Sequence, residues 1–356
     1  MPSINEQVVV ITGASSGVGR ACAQAFGAKG AKVGLIARNQ EALENAAAEI
    51  RQAGGEALVL PLDLADSDAV ERAAAEVEGR WGRIDTWVND AMVSVFSPAI
   101  EMTMEEFRRV TEVNYLGCVY GTMSALKRMR QRNSGTVVQI CSALAYRSIP
   151  LQSAYCATKA AMRAFSDSVR TELIHDKSAV RISVLILPAV NTPQFDRVKT
   201  RLPRHPQPVP PIYQPEIIAD AALYAAEHPV REMVIGGGAL KAVVAQKFIP
   251  GLLDLYLAKT CYDAQQTKEP LPPGRPDNLF TTIPTDPGAH GDFDSRSRTR
   301  SLQLWLRMHR GQLLAAAAMA GLAGLAARRE SPRLPEAADQ GTLRRVVEEV
   351  RAALPV

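Results

Sequence analysis

Residues 8–26 read VVVITGASSGVGRACAQAF, and the order of residue types within them decides the fold. Val8–Thr12 is a short apolar, β-branched run without polar alternation, as expected of a strand buried on both faces. It runs into the glycine-rich turn Thr12–Gly19, and a helical pattern follows through Phe26. A strand, a glycine turn and a helix N-terminus together make an anion site from backbone N–H groups and the helix dipole. In the Gly-x-x-x-Gly-x-Gly spacing, Gly13 permits the tight turn and Gly17 lets a pyrophosphate approach the backbone. Gly19 allows close helix–strand packing, and Ser15, Ser16 and Val18 complete the loop as candidate binding residues. The competing reading is an ordinary turn; position between a buried strand and a helix argues for the binding loop.

The same alternation continues outward. A second strand, Lys32–Ala37, ends in Arg38, and a helix over Glu41–Ala53 is stopped by Gly54-Gly55. The strand Ala57–Leu62 leads to Asp63-Leu64, where Asp63 is placed either to accept from an adenine amino group or to cap the next helix. After an amphipathic Ser67–Gly79 comes a strand ending in Val88, followed by Asn89-Asp90-Ala91-Met92. Met104–Met129 is expected as one long helix with Asn114 inside it. Asparagine is a poor mid-helix residue, so Asn114 needs a reason, such as bending the helix or holding a water. Further strands are expected at Thr136–Cys141, Val180–Leu187 and Glu232–Gly238, and helices at Ala154–His175, Glu216–Glu227 and Leu240–Lys259. This pattern predicts an α/β fold, a doubly wound parallel sheet flanked by helices. Pro188, Val190 and Thr192 belong to the turn leaving the sixth strand, at the edge where ligands bind. The Pro-rich, basic stretch 194–215 is expected as a lid over a substrate pocket. A strand end that lacks a carboxylate and carries Arg38 suits a ribose 2′-phosphate, which favours NADP(H) over NAD(H).

The chemistry is expected in residues 140–159, ICSALAYRSIPLQSAYCATK. Tyr155 and Lys159 stand at i and i+4, on one face of a helix. A phenol titrates near pH ~10, and a neighbouring ammonium pulls it toward working pH. Ser142, thirteen positions before Tyr155, leaves a strand toward the same spot, where it can donate to a carbonyl oxygen. A tyrosine beside a solvated lysine on a helix surface is the plain alternative, and only the surrounding fold decides against it.

Composition bounds the rest. The 356 residues, 47% hydrophobic and 22% charged, suffice for one large α/β domain with an appendage. A net charge of +4 gives no case for nucleic-acid binding. Cys22, Cys118, Cys141, Cys156 and Cys261 show no metal-ligand spacing and read as reduced core thiols of a cytoplasmic protein. The early first strand leaves no room for a signal peptide.

Taken together, Thr12–Gly19, Asn89–Ala91, Asn114, Ser142, Tyr155, Lys159 and the Pro188–Thr192 turn resemble the short-chain dehydrogenase/reductase family over about residues 5–260. The resemblance implies a Rossmann-like fold and hydride transfer between NAD(P) and an alcohol or carbonyl carbon. It implies Tyr155 as general acid/base, Ser142 orienting the substrate oxygen, and Lys159 binding nicotinamide ribose and lowering the tyrosine pKa. Asn114 is implied to hold a water in the proton relay. It further implies cofactor contacts from Asp63, Leu64, Asn89 and Ala91, and a homo-dimer or homo-tetramer. The family's usual Asn-Asn-Ala-Gly is here Asn89-Asp90-Ala91-Met92, and its Pro-Gly turn is Pro188-Ala189.

Residues 1–260 are therefore expected as the cofactor-binding catalytic domain, 261–301 as a polar arm and 302–356 as a helical extension. The apolar run Leu313–Ala327 is short of the about 20 residues a spanning helix needs, which favours packing over membrane contact by the 302–330 segment. The leading function is an NADP-dependent oxidoreductase acting on a small alcohol or carbonyl compound, apolar in character. The alternative is a nucleotide-binding scaffold or sensor without turnover, its tail docking a membrane or a partner.

Overall fold

Val8–Thr12 (β1) is buried at all five positions, as its unbroken β-branched run requires. The computed structural model describes residues 2–316 and 318–320, with 341, 344, 345, 348 and 349 beyond them. Around β1 stand Lys32–Ala37 (β2), Glu56–Pro61 (β3), Thr86–Asn89 (β4), Thr136–Ser142 (β5), Arg181–Leu187 (β6) and Glu232–Val234 (β7). Their order across the sheet is β7-β6-β5-β4-β1-β2-β3, and every pairing is parallel. The chain winds outward from β1 in one direction through β3, then returns to the other side of β1 at β4. That reversal opens a crevice at the C-terminal ends of β1 and β4, where doubly wound sheets bind ligands.

Helices cover both faces. Gly17–Ala28 (α1) and Gln40–Gln52 (α2) meet through the buried Arg20, which makes a two-pronged pair with Glu49 at 2.8 Å per bond. Ser67–Trp81 (α3) is capped by Asp66 and ends on Gly82 in the left-handed conformation, a standard helix stop. Val70, Val77, Trp87 and Met129 are among the side chains that fill one face of the sheet. All five cysteines are buried and unpaired.

The expected long helix at Met104–Met129 is three segments: Met104–Thr111 (α4), a π-helical turn at Glu112–Leu116 and Gly117–Arg132 (α5). Asn114 sits in the wide turn with no exposure. Such a bulge lets a side chain reach a partner that a regular helix would point it past. Ser153–His175 (α6) carries Tyr155 and Lys159, and Pro215–Glu227 (α7) packs against α1. The single helix expected at Leu240–Lys259 is two, Gly237–Phe248 (α8) and Pro250–Ala264 (α9). Pro250 lacks the N–H to continue a helix and disfavours helical geometry at Ile249, which indeed leaves it.

Compactness divides the chain into Met1–Leu304 and Trp305–Val356. The polar arm after residue 260 is part of the first unit: Gln266–Pro270 pairs antiparallel with Arg204–Pro206, and Leu279 and Phe293 are buried. In the second unit Trp305 stacks on His309 with ring centres 4.6 Å apart. Among the described residues no helix is long and apolar enough to cross a membrane. Most of the Leu313–Ala327 run and of the expected helical extension beyond it lie outside the described residues.

Candidate active site

Each strand end delivers one component. The turn after β1 is fixed by Thr12, whose hydroxyl oxygen accepts from the N–H groups of Asp90 and Ala91 at 3.0 and 3.2 Å, tying the β1 and β4 loops together. Gly19 has no room for a side chain: a Cβ there would lie 2.3 Å from the Gly13 carbonyl oxygen. β2 delivers Arg38, β3 Asp63, β5 Ser142, and β6 the turn from Pro188 to Thr192.

These residues surround one cavity of about 540 Å³. Gly13, Ser15, Ser16, Gly17, Val18, Arg38, Asp63, Leu64, Ala91, Ser142, Tyr155, Lys159, Pro188, Val190 and Thr192 all line it. Gly19, Asn89 and Asn114 are not among its lining residues. Asn89 is buried in a polar knot, accepting from Trp87 Nε1 at 2.9 Å and donating to Thr122 and Gln139 at 3.0 Å. Asn114 clasps the backbone of Val93, accepting from its N–H at 2.8 Å and donating to its carbonyl at 2.9 Å. It also donates to the Thr158 hydroxyl at 3.3 Å. The odd residue in the helix thus fixes the loop after β4 onto the helix that carries Tyr155 and Lys159.

Lys159, 2% exposed, donates to the Ile140 carbonyl at 2.7 Å and stands 5.7 Å from the Tyr155 ring centre. Ser142 hydrogen-bonds Tyr155 and accepts from the Leu144 N–H at 3.1 Å. The Tyr155 pKa differs from expectation. Burial raises it above its ordinary value, outweighing the opposing Ser142 hydrogen bond, so the phenol is held protonated. The ammonium pull expected from the i, i+4 spacing does not govern a tyrosine buried this way, because desolvating a phenolate costs more.

Asp90, where the related motif has asparagine, faces the same space. Burial pushes its carboxyl up to about 7, against the opposite pulls of Lys159 and the Gly19 N–H. Asp63 accepts from the Ala65 N–H at 3.0 Å and pairs with Arg109, so both its oxygens are in use. Burial works against its ionisation, but Arg109 outweighs that and holds the carboxyl below its usual range. Arg38 makes no ion pair among the described residues, and burial lowers its pKa, with Arg109 adding to that and Asp63 opposing it. Its guanidinium donates to the carbonyls of Asn278 at 2.5 Å, Phe280 at 3.2 Å and Leu279 at 3.4 Å.

The far half of the cavity is walled mostly by apolar side chains, Leu144, Ile149, Phe195, Val209 and Leu257, with Arg147, Gln152 and Gln207 among them. The stretch 194–215, expected as a lid, contributes Gln207–Pro211 here, steadied by the short strands Lys199–Thr200, Arg204–Pro206 and Ile212–Tyr213. Sequence reasoning missed the contribution of Asn278, Thr282, Ile283 and Pro287, which line the Arg38 end. A polar Pro- and Asp-rich stretch carries no periodic signal, and the apolar Leu279-Phe280 and Ile283 among polar neighbours were the available hint.

Residues 7–202 match the model of the short chain dehydrogenase family. The chain is 33% identical to the uncharacterized oxidoreductase YxnA of Bacillus subtilis (strain 168) over 92% of both chains. It is also 33% identical to a fatty acyl-CoA reductase of Acinetobacter baylyi, over 63% of this chain and 74% of that protein. Among solved structures it resembles an alcohol dehydrogenase from Thermococcus sibiricus complexed with 5-hydroxy-NADP, at 30% identity and a TM-score of 0.56. That match covers 64% of this chain and 95% of the other. Levodione reductase gives 27% identity and a TM-score of 0.57 over 65% and 97%.

Proposed function

The chain belongs to the short-chain dehydrogenase/reductase family, and from that premise we propose that it is an NADP(H)-dependent oxidoreductase of alcohols and carbonyl compounds with Tyr155 as general acid/base. One observation carries the reading. Ser142, Tyr155 and Lys159 line the same cavity as the glycine turn, with Arg38 at its other end. The residues suit a dinucleotide carrying a 2′-phosphate. Gly13 and Gly19 leave no room for a Cβ beside Ala91 and the Gly13 carbonyl, which keeps the turn tight, and Arg38 donates to neutral carbonyls and makes no ion pair among the described residues. Structures similar to this chain contain NADP or its 5-hydroxy derivative, which supports the same choice.

When bound, the nicotinamide supplies or accepts the hydride at carbon. This chain's own residues handle the oxygen. Tyr155, held protonated, gives its proton to the substrate oxygen as the carbonyl becomes an alcohol, and takes it back in the reverse direction. Ser142 donates to that oxygen and holds the carbonyl in line. Lys159, fixed by Ile140, offers its remaining donors to the nicotinamide ribose and its charge to the phenolate left after proton transfer. Asn114 acts by keeping the loop after β4 and the Tyr155 helix in register. The apolar half of the cavity favours an apolar substrate. The protein is further proposed to act in the cytoplasm as a homo-oligomer.

Titration with NADPH and with NADH, following nicotinamide fluorescence, tests the cofactor assignment: selective tightening with NADPH is expected. Failure to bind either dinucleotide overturns the assignment and leaves a scaffold without turnover.

A further inference from the structure

The stretch Asp277–Asp294 crosses the dinucleotide half of the cavity from one side to the other. At one end Leu279 is fully buried among Val93, Val110, Val113 and Ala154, and its carbonyl accepts from Arg109 at 3.1 Å. At the other, Phe293 is buried edge-on against Phe195 at 5.7 Å, its N–H donating to Asn191 at 3.1 Å. Between these apolar anchors the stretch is held mainly by polar contacts, the Arg197 guanidinium donating to the Thr285 hydroxyl at 2.5 Å among them. Asn39 donates to the carbonyls of Ile283 and Thr285 at 3.1 and 3.2 Å. The Asp286 carboxylate accepts from Asn45 at 2.9 Å and pairs with Arg20 at 3.4 Å. The Gly288 carbonyl accepts from the Gly17 N–H at 3.0 Å. Thus two donors expected to meet cofactor phosphates, Arg38 and the Gly17 N–H, face carbonyls of this one stretch.

We infer that residues 280–288 are a strap over the dinucleotide site, with fixed ends at Leu279 and Phe293 and a middle that opens at Asp286 to load and release the cofactor. The inference rests on the proposed NADP(H) function. Buried apolar ends resist movement, whereas the polar contacts of the middle are partly exposed, and Arg20 keeps Glu49 when Asp286 leaves it, so the middle is the part that lifts. A dinucleotide reaching Gly17 and Arg38 takes over donors that the strap carbonyls of Gly288 and Phe280 use, while the Arg38 bonds to Asn278 and Leu279 belong to the fixed end, so loading and strap opening are one event. Thr282, Ile283 and Pro287 then form the outer wall against the bound adenosine. The strap lies outside the family-matched residues 7–202 and gives this chain a slower cofactor exchange than an uncovered sheet edge allows.

Stopped-flow fluorescence on the full chain, measuring NADPH association and its displacement by excess NADP⁺, tests the strap. Asp286→Ala is expected to raise both rates by about tenfold, the effect of losing charge-assisted hydrogen bonds. Asn45→Ala, an exposed residue whose side chain touches the strap at Asp286, is expected to raise both rates less, and carries the test if Asp286→Ala does not fold. Hydrogen exchange of the 280–288 amides in each variant reports strap opening directly. Faster strap exchange with unchanged NADPH rates overturns the inference, as does NADPH binding whose rates neither variant alters. Wild-type protein that binds neither dinucleotide overturns the functional reading and the strap together.

Discussion

Lys159 gives its ammonium to the main-chain oxygen of Ile140 at 2.7 Å, while almost no part of it reaches solvent. A helix residue is thereby fastened to the strand that carries Ser142, so the two halves of the proton-handling group move together. The sheet, through β5, sets the distance between Tyr155 and its serine.

Lys159→Met removes both the charge and the fastening. The Ile140 carbonyl is left buried without its donor, at a cost of about 1–3 kcal/mol. A lower melting temperature, weaker NADPH binding and a lower kcat are expected together. Loss of kcat with unchanged NADPH affinity and unchanged stability would show that the ribose contact and the fastening are misassigned.

Tyr155→Phe keeps the ring and removes the proton donor. Turnover is expected to fall by about 10²–10⁴-fold, the range for a lost general acid. NADPH affinity should stay close to that of the parent, since the hydroxyl faces the substrate oxygen. Steady-state kinetics beside a fluorescence titration separates the two, and retained turnover removes Tyr155 from the mechanism.

Arg38→Asp puts a carboxylate where a cation stands. The preference for NADPH over NADH is expected to drop by about 10–100-fold, as for a lost hydrogen bond between charged groups. Part of the change comes from strap carbonyls left without donors, but that part is common to both dinucleotides and cancels in their ratio. An unchanged ratio means that another group recognises the phosphate.

Asp90→Asn tests the buried carboxyl. Burial raises it from an ordinary 3.8 to about 7 in the folded protein. The folded state therefore binds the extra proton between those values, and wild-type stability relative to the variant is greatest below pH 4. That advantage is lost as pH rises through 7. Asp90→Asn is thus expected to melt higher than wild type at pH 8 and to lose its lead at pH 4. Melting curves across this range that stay parallel would place Asp90 in water.

Much of this architecture was readable from residue types. Val8–Ile11 has no polar position, which fits a strand covered on both sides, and the residues after each such run are those at the crevice. The breaks were less readable. Asn114 signalled an irregularity, but whether the helix bends, unwinds or widens depends on the Val93 backbone, which comes from a different part of the chain. Pro250 was visible, yet the apolar residues on both sides outweighed it in a periodicity argument. Tyr155 was found by its spacing from Ser142 and Lys159, whereas the direction of its pKa depends on surroundings that spacing does not encode. The 277–294 stretch was least readable, since its hold on Arg38, Asn39 and Gly17 is through carbonyl oxygens common to every residue.

The five buried cysteines turn to a practical use. Each thiol is raised by burial, Cys118 to about 12 and Cys261 to about 11, so a thiol-modifying dye finds no ready thiolate in the closed molecule. Cys261 and Cys141 border the cavity, whereas Cys22, within α1, has no exposure. Labelling in the order Cys261 first and Cys22 last would clock the loosening of the cavity separately from the melting of the sheet. The protein carries its own graded stopwatch, with no added probe.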